Sequence, residues 1–189
     1  MDHYLDIRLR PDPDFPPEML MGALYSKLHR ALHDLRANDI GVSFPDHKTG
    51  TRARTVGDRL RLHGQEARLE QLMAISWITG MRDHVMLEAI RPVPAGARHR
   101  VVRRRQFNTG SPSRARRHAC RHGVGIEEAQ RLMEKPASRQ IALPFVQINS
   151  RSTEQRFALF IEHGQEQSQP VSGRFNQYGL SSEATVPWF

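Results

Sequence analysis

Residues Tyr4 to Arg10 alternate apolar and polar side chains, and this period of two predicts a strand with Leu5, Ile7 and Leu9 on its buried face. A turn-like Pro-Asp-Pro-Asp-Phe-Pro-Pro segment follows. Apolar residues then recur at Leu20 or Met21, Leu24, Leu28, Ala31 or Leu32, and Leu35. That spacing predicts a helix from about 17 to 35, with Pro17 near its first turn, where a missing N–H is tolerated. Ile40 to Phe44 and Arg59 to His63 read as two strands that pair with each other, joined by a polar loop containing His47, Lys48, Gly50 and Gly57. Glu66 to Ile75 carries Leu69, Leu72 and Met73 at helical spacing, and Val85 to Ile90 alternates weakly before Pro92 and Pro94 close the unit.

The order β-α-β-β-α-β is that of a ferredoxin-like (RRM-like) domain, and the prolines point to a boundary near residue 94. Such a fold is often recruited to RNA through its sheet or helix face, but assigns no function by itself. The expected division is therefore 1–94 and 95–189, an α+β chain throughout. The second part opens with a basic linker, then a short helix with Ser111 as candidate N-cap and Pro112 at its first position, ending before Gly123. At about 100° per residue, Arg114, Arg117, His118 and Arg121 share one wedge of that helix, while Ala115 and Ala119 lie on another face. Residues 127 to 134 read as another short helix. Ala142 to Asn149 and Gln155 to Glu162 read as strands around a Ser-Arg-Ser-Thr turn, and the tail after Gly164 reads as loop until Tyr178.

Charge changes this picture more than composition does. The formal net charge is +8, yet residues 89 to 126 hold ten Arg and no Asp or Glu, so the rest of the chain is slightly acidic. A stretch of that kind suits a polyanion, and the guanidinium fork suits phosphates and guanine edges, which makes nucleic acid the leading partner. With 38% hydrophobic residues among 189, one substantial core or two small ones packed together need neither disulfides nor structural metal. Cys120 is the single cysteine, and no apolar run approaches the roughly 18 to 20 residues that span a bilayer. A soluble, cytoplasmic protein is the expectation, with no cofactor.

Metal and Ser-His-Asp chemistry find little support. His29 and His33 stand four residues apart without a third ligand, and on a helix Cys120 points about 200° away from His118, so His118, Cys120 and His122 do not converge. No Gly-x-Ser-x-Gly elbow is present. What remains is a route without metal, in which a side chain draws the proton from a ribose 2′-hydroxyl and that oxygen attacks the adjacent phosphate. Histidine suits this at neutral pH, and His29 sits beside the apolar stripe of its helix, where it can face a partner.

Several segments together resemble the subtype I-F (Csy-type) endoribonuclease of the CRISPR-associated Cas-six family. They are MDHYLDIRLRPDPDFPP, Lys27-Leu28-His29, the run Ile40 to Pro45, the run Gly57 to His63, Leu143 to Val146, Ser150 to Thr153, Tyr178 to Ser181, and Pro187-Trp188-Phe189. The resemblance implies His29 as the catalytic histidine, Ser150 as the serine that helps hold the attacking ribose, and Tyr178 as a tyrosine supporting the site. It implies that Arg104 and Gln106 read base pairs at the bottom of a hairpin stem, that Phe157 stacks on the last pair, and that the helix bearing Arg114, Arg116, Arg117 and Arg121 lies along the stem's major groove. Ala115, Ala119 and Cys120 stand where members can be denser in arginine.

The resemblance further implies a CRISPR repeat RNA stem-loop as substrate, cut at the 3′ base of the stem. The products would carry a 2′,3′-cyclic phosphate and a 5′-hydroxyl. Continued residence on the crRNA hairpin among the other subunits of a surveillance complex is also implied. Two other readings are a non-catalytic hairpin-binding subunit, against which stand His29, Ser150 and Tyr178, and a basic DNA-binding regulator, against which stand Phe157 and the lack of a helix-turn-helix.

Overall fold

The structure, a computed structural model, describes residues 1–50, 54–106, 112–134, 142–149 and 156–189. It is a mixed α+β chain with two antiparallel sheets. The first sheet contains β1 (His3–Leu9), β2 (Gly41–Ser43), β3 (Arg59–Gly64) and β4 (Val85–Leu87) in the order β2-β3-β1-β4, with the short β5 (Arg91–Pro92) pairing farther along β1. Helices α1 (Pro17–Asp34) and α2 (Glu66–Ala74) connect its strands. The expected pairing of the second and third strands holds, with Val42 opposite Leu62. Of the expected strand over 85 to 90 only Val85–Leu87 forms, as β4; β5 lies just beyond it, and both pair with β1.

Leu5, Ile7 and Leu9 are buried as the alternation predicts, but the opposite face of β1 is not left to water. Asp6 is 2% exposed and accepts two hydrogen bonds from buried Arg61, at 2.7 and 2.8 Å. The same guanidinium donates to the Phe189 carbonyl and lies 4.0 Å from the Phe189 ring centroid and 4.7 Å from that of Tyr4. A buried charge is tolerable only when paired and hydrogen-bonded, and this one has both supports.

The second sheet runs β7-β8-β6-β9, with β6 (Arg98–Arg105), β7 (Phe145–Asn149), β8 (Arg156–His163) and β9 (Thr185–Trp188). One correction belongs here. The basic stretch expected as a linker is β6, an interior strand of this sheet. The tail after Gly164 contains no strand as far as Tyr178, as expected, and β9 lies beyond it, closing the sheet against the first half of β6. Charge hid β6: arginines line both faces of the strand because Glu166 takes Arg100, and Glu162 takes Arg103 and Arg105. Between β6 and β7 stand α3 (Pro112–His122) and α4 (Ile126–Glu134), which pack on each other and bury Ala119 and Ala129.

Helix α1 joins the two sheets. It packs on β7 and against β1, which explains why both Leu20, Leu24, Leu28 and the neighbouring Met21, Tyr25, Leu32 are buried, a wider apolar face than one contact needs. At Gly22 a Cβ would sit 2.5 Å from the Gln147 carbonyl oxygen, so only glycine lets helix and strand approach this closely. The buried apolar cluster runs unbroken from the first sheet through α1 to Val146, Ile148, Leu159 and Ile161 of the second. No helix among the described residues is long and apolar enough to cross a membrane.

Two imidazoles are locked in this interior. His163 accepts a hydrogen bond from the Phe44 N–H at Nε2 (3.3 Å) and stacks on His47 with centroids 3.7 Å apart. Burial, with His47 and Arg100 adding to it, brings its pKa down to about 2. Burial likewise pushes His63 well below the ordinary imidazole range. As pH falls below about 6.5 the unfolded chain takes up these protons and the folded chain does not, so stability declines from there toward pH 2. Replacing His163→Gln keeps an acceptor for Phe44 and removes one titration. Urea unfolding at pH 6, 5 and 4 should then show the slope of stability against pH reduced by about 1.4 kcal/mol per unit.

Candidate active site

His29 projects half-buried from α1 at the edge of the core, next to the fully buried Leu28. The Tyr178 ring lies flat on its imidazole, with centroids 4.0 Å apart and planes within 6°. Its Nδ1 is 2.9 Å from the Gln177 carbonyl oxygen. A carbonyl only accepts, so Nδ1 carries the hydrogen and the neutral ring presents its lone pair at Nε2. One main-chain group therefore selects the tautomer in which the outer nitrogen can take a proton.

The loop that supplies Gln177 and Tyr178 is held from several sides. Asn176 Oδ1 accepts from the Tyr178 and Leu180 N–H groups at 2.8 and 3.3 Å, while the Asn176 N–H donates to the Leu180 carbonyl at 2.8 Å. This is the local bonding that makes asparagine a turn former. Gly179 follows at φ 68, a conformation that favours glycine, and a Cβ there would collide with the Val42 side chain. Beyond the turn, Phe175 N–H donates to the Asn38 carbonyl (2.9 Å), Val42 N–H to the Gly179 carbonyl (2.8 Å), and Ser181 N–H to the Val102 carbonyl of β6 (3.0 Å). Buried Tyr25, one turn before His29, donates its hydroxyl hydrogen to the Tyr178 carbonyl at 2.7 Å. Burial raises the Tyr25 pKa well above the phenol range, which keeps it a donor.

Alternation along β6 sorts its arginines. Arg103 and Arg105 point to Glu162, and the hydrogen bond from Arg103 is the chief reason that carboxyl lies below its ordinary range. Arg104 faces the other way, with buried Val102, Ile161 and Leu159. Its guanidinium carbon is 5.7 Å from the Phe157 ring centroid and 5.9 Å from that of Tyr178, cation–π distances both. Phe157, Arg104, Tyr178 and His29 thus form one continuous row across the junction of the two sheets.

The remaining expected residues are placed as follows. Gln106 is exposed immediately after β6, at the open end of the strand. Arg116, Arg117 and Arg121 are exposed on α3; Arg114 belongs to that helix, but its side chain lies outside the described residues. Ser150 also lies outside them. His118 and His122 lie ring to ring at 4.4 Å while Cys120 is exposed, and among the described residues no three His, Cys, Asp or Glu side chains are grouped as metal ligands. Sequence reasoning missed Tyr25, Asn176 and Gln177. Tyr25 reads as plain helix core, and a backbone acceptor leaves no residue signature; the Asn-x-x-Gly spacing over 176–179 was the one available cue.

A family model described as CRISPR-associated protein (Cas_Csy4) matches residues 4–189. The chain is 45% identical over 189 residues to a protein of Pseudomonas aeruginosa (strain UCBPP-PA14) named CRISPR-associated endonuclease Cas6/Csy4, with 100% of both chains covered. It is 44% identical over 190 residues to a protein of the same name from Escherichia coli (strain UTI89 / UPEC), again with 100% of each covered. The chain belongs to the Cas_Csy4 family of CRISPR-associated proteins, the Csy4-like, subtype I-F branch of Cas6.

Because Gly179 meets both a positive φ and a blocked Cβ direction, Gly179→Ala is expected to destabilise the fold by about 2 to 4 kcal/mol, measured by chemical denaturation. The loss of the His29–Tyr178 stack should accompany it.

Proposed function

We propose that this chain is an endoribonuclease that processes CRISPR repeat RNA, binding the repeat stem-loop and cutting at the 3′ base of the stem. The observation that carries the reading is the His29 tautomer: Nδ1–H is engaged by the Gln177 carbonyl, so Nε2 is the nitrogen that carries the lone pair of the neutral ring, in a row with Tyr178, Arg104 and Phe157. The full-length relatives named as CRISPR-associated endonucleases support it.

In this reading Nε2 of His29 takes the proton of a ribose 2′-hydroxyl, the freed oxygen bonds to the adjacent phosphorus, and the bond from phosphorus to the 5′ oxygen breaks. That oxygen takes up a proton, leaving a 5′-hydroxyl and a 2′,3′-cyclic phosphate. No metal is required, because the base is a side chain and the nucleophile is within the RNA. Ser150 helps hold the attacking ribose. Tyr178 fixes the plane of the imidazole by stacking, and its phenol O–H suits an orienting donor.

Phe157 stacks against the last base pair of the stem, while Arg104 and Gln106 read base edges there. A strand holds Arg104 more rigidly than a linker would, which favours a fixed register of the stem. Arg114, Arg116, Arg117 and Arg121 grip the stem's phosphates along the major groove. In the same proposal, residues 1–94 form a ferredoxin-like domain carrying His29 and residues 95–189 form the RNA-gripping domain; the strand order β2-β3-β1-β4 with α1 and α2 as crossovers supports the first assignment. After cutting, the protein stays on the crRNA hairpin as one subunit of a cytoplasmic surveillance complex.

Incubation with its cognate repeat RNA in EDTA should give cutting by the wild type. His29→Ala should abolish it while retaining hairpin binding, and a 2′-deoxy sugar at the cut should abolish it with either protein. Persistent cleavage by His29→Ala would remove the assigned base, and dependence on added metal would overturn the mechanism. For recognition, Arg104→Ala should cost about 1 to 3 kcal/mol and relax discrimination at one base pair. A uniform loss across all hairpins would mark a phosphate contact instead.

A further inference from the structure

The turn that ends α1 carries an unexpected residue. The Ala37 N–H donates to the Leu32 carbonyl at 2.9 Å and the Arg36 N–H to the His33 carbonyl at 3.0 Å, the paired bonds of a Schellman cap, with Ala37 and Leu32 both buried. In that cap the first residue past the helix is left-handed and usually glycine. Here it is Arg36, at φ 49, the one non-glycine residue of positive φ among those described. A side chain kept where its backbone is disfavoured points to a use for that side chain.

The surroundings say what the use is. Arg36 and His33 wall a cleft of about 730 Å³ whose other side is Asn176, Gln177, Tyr178 and Arg104. The cleft shares Gln177 and Tyr178, the two residues that touch His29, with the site described above, and its volume is within the range that takes a small-molecule-sized ligand, here a nucleotide. The two neighbouring carboxylates are already engaged: Asp34 pairs with His33 at 3.3 Å, and Asp39 receives two bonds from Arg68 at 2.6 and 3.1 Å. Arg36 is exposed, and its side chain makes no hydrogen bond or ion pair with any described residue. An arginine at the mouth of a cleft with no protein anion to meet is suited to a phosphate.

We propose that this cleft is a second RNA subsite, taking the unpaired nucleotide on the 3′ side of the cut with its phosphate on Arg36. The inference rests on the function proposed above and fixes the strand direction. Phe157 and Arg104 mark the last stem nucleotide, whose ribose supplies the nucleophile; Tyr178 and His29 mark the scissile phosphate; His33 lies one helical turn farther along α1, and Arg36 lies past the helix end. A strand entering over Phe157 and reacting at His29 reaches the cleft next. The exposed amide of Asn38, which lines the cleft, can both donate to and accept from a base edge.

The test uses the full chain and a hairpin made uncleavable by a 2′-deoxy sugar at the cut, with or without a few unpaired nucleotides on its 3′ side. For the wild type the 3′ extension should tighten binding about tenfold at moderate salt, as a charge-assisted phosphate contact does. Arg36→Gly suits the left-handed backbone, so its melting temperature should be at or above that of the wild type, yet the gain from the extension should vanish. Arg36→Lys should restore part of it. The salt slope for the extended RNA should also fall by about 0.7 in Arg36→Gly.

A gain that survives Arg36→Gly overturns the subsite. So does a gain that follows extension of the 5′ side and is lost in Arg36→Gly, because the cleft then serves the other strand. If the wild type binds and cuts no hairpin at all, the function proposed above fails, and the cleft fails with it. Cutting that is normal but blind to the 3′ flank removes the cleft alone.

Discussion

The pinning of one loop, residues 175–181, onto α1 and the first sheet is the constraint on which the rest of the site depends. Phe175, Gln177, Tyr178 and Gly179 are tied by hydrogen bonds to Asn38, His29, Tyr25 and Val42, residues more than a hundred positions earlier in the chain. Three of these ties use main-chain carbonyls of the loop as acceptors, whose directions are set once the turn at Asn176 and Gly179 is set. The imidazole thus inherits its orientation from backbone geometry, and the backbone geometry from two turn residues and a buried phenol. In the function proposed for His29, pre-organisation of this type spares the entropy of ordering the group at the moment of reaction.

The second sheet matters because it brings aromatic and cationic groups to the same junction. Close approach of α1 to β7 at Gly22 seats the sheet's apolar face on the helix, and Arg104 and Phe157 occupy the rim of that face. Charge in β6 is managed by sidedness. Glu162 and Glu166 hold Arg100, Arg103 and Arg105, so the strand's excess positive charge is partly offset before any polyanion arrives, and Arg104, turned toward the rings, is distinguished from its neighbours by the pleat alone. The arginine count of β6 therefore overstates the positive charge this strand displays.

Most of the first half was legible in the sequence because its signals were local. Alternation gave β1, the stripe gave α1 to within a residue, and the two short strands around the polar loop paired as their spacing implied. Legibility failed where tertiary partners override local character. β6 looks like a charged connector until Glu162 and Glu166 are placed beside it, and β9 is too short to announce itself before its pairing with β6 is known. Burial of Asp6 with Arg61 was equally hidden, since alternation marks a polar position without saying what covers it. His29 was visible as a histidine beside a stripe, and the resemblance supplied a role. Its tautomer was not visible, because the deciding atom is a carbonyl oxygen that every residue type possesses.

That last feature bears on how the site can drift over time. Since the partner of His29 Nδ1 is the peptide unit of residue 177, the glutamine side chain there is free to change without disturbing the proton's address. Selection for the correct imidazole form would fall instead on positions 176 and 179, whose side chains never touch the histidine but set the path of the chain between them. Variation should therefore be tolerated next to the chemistry and resisted just to either side of it.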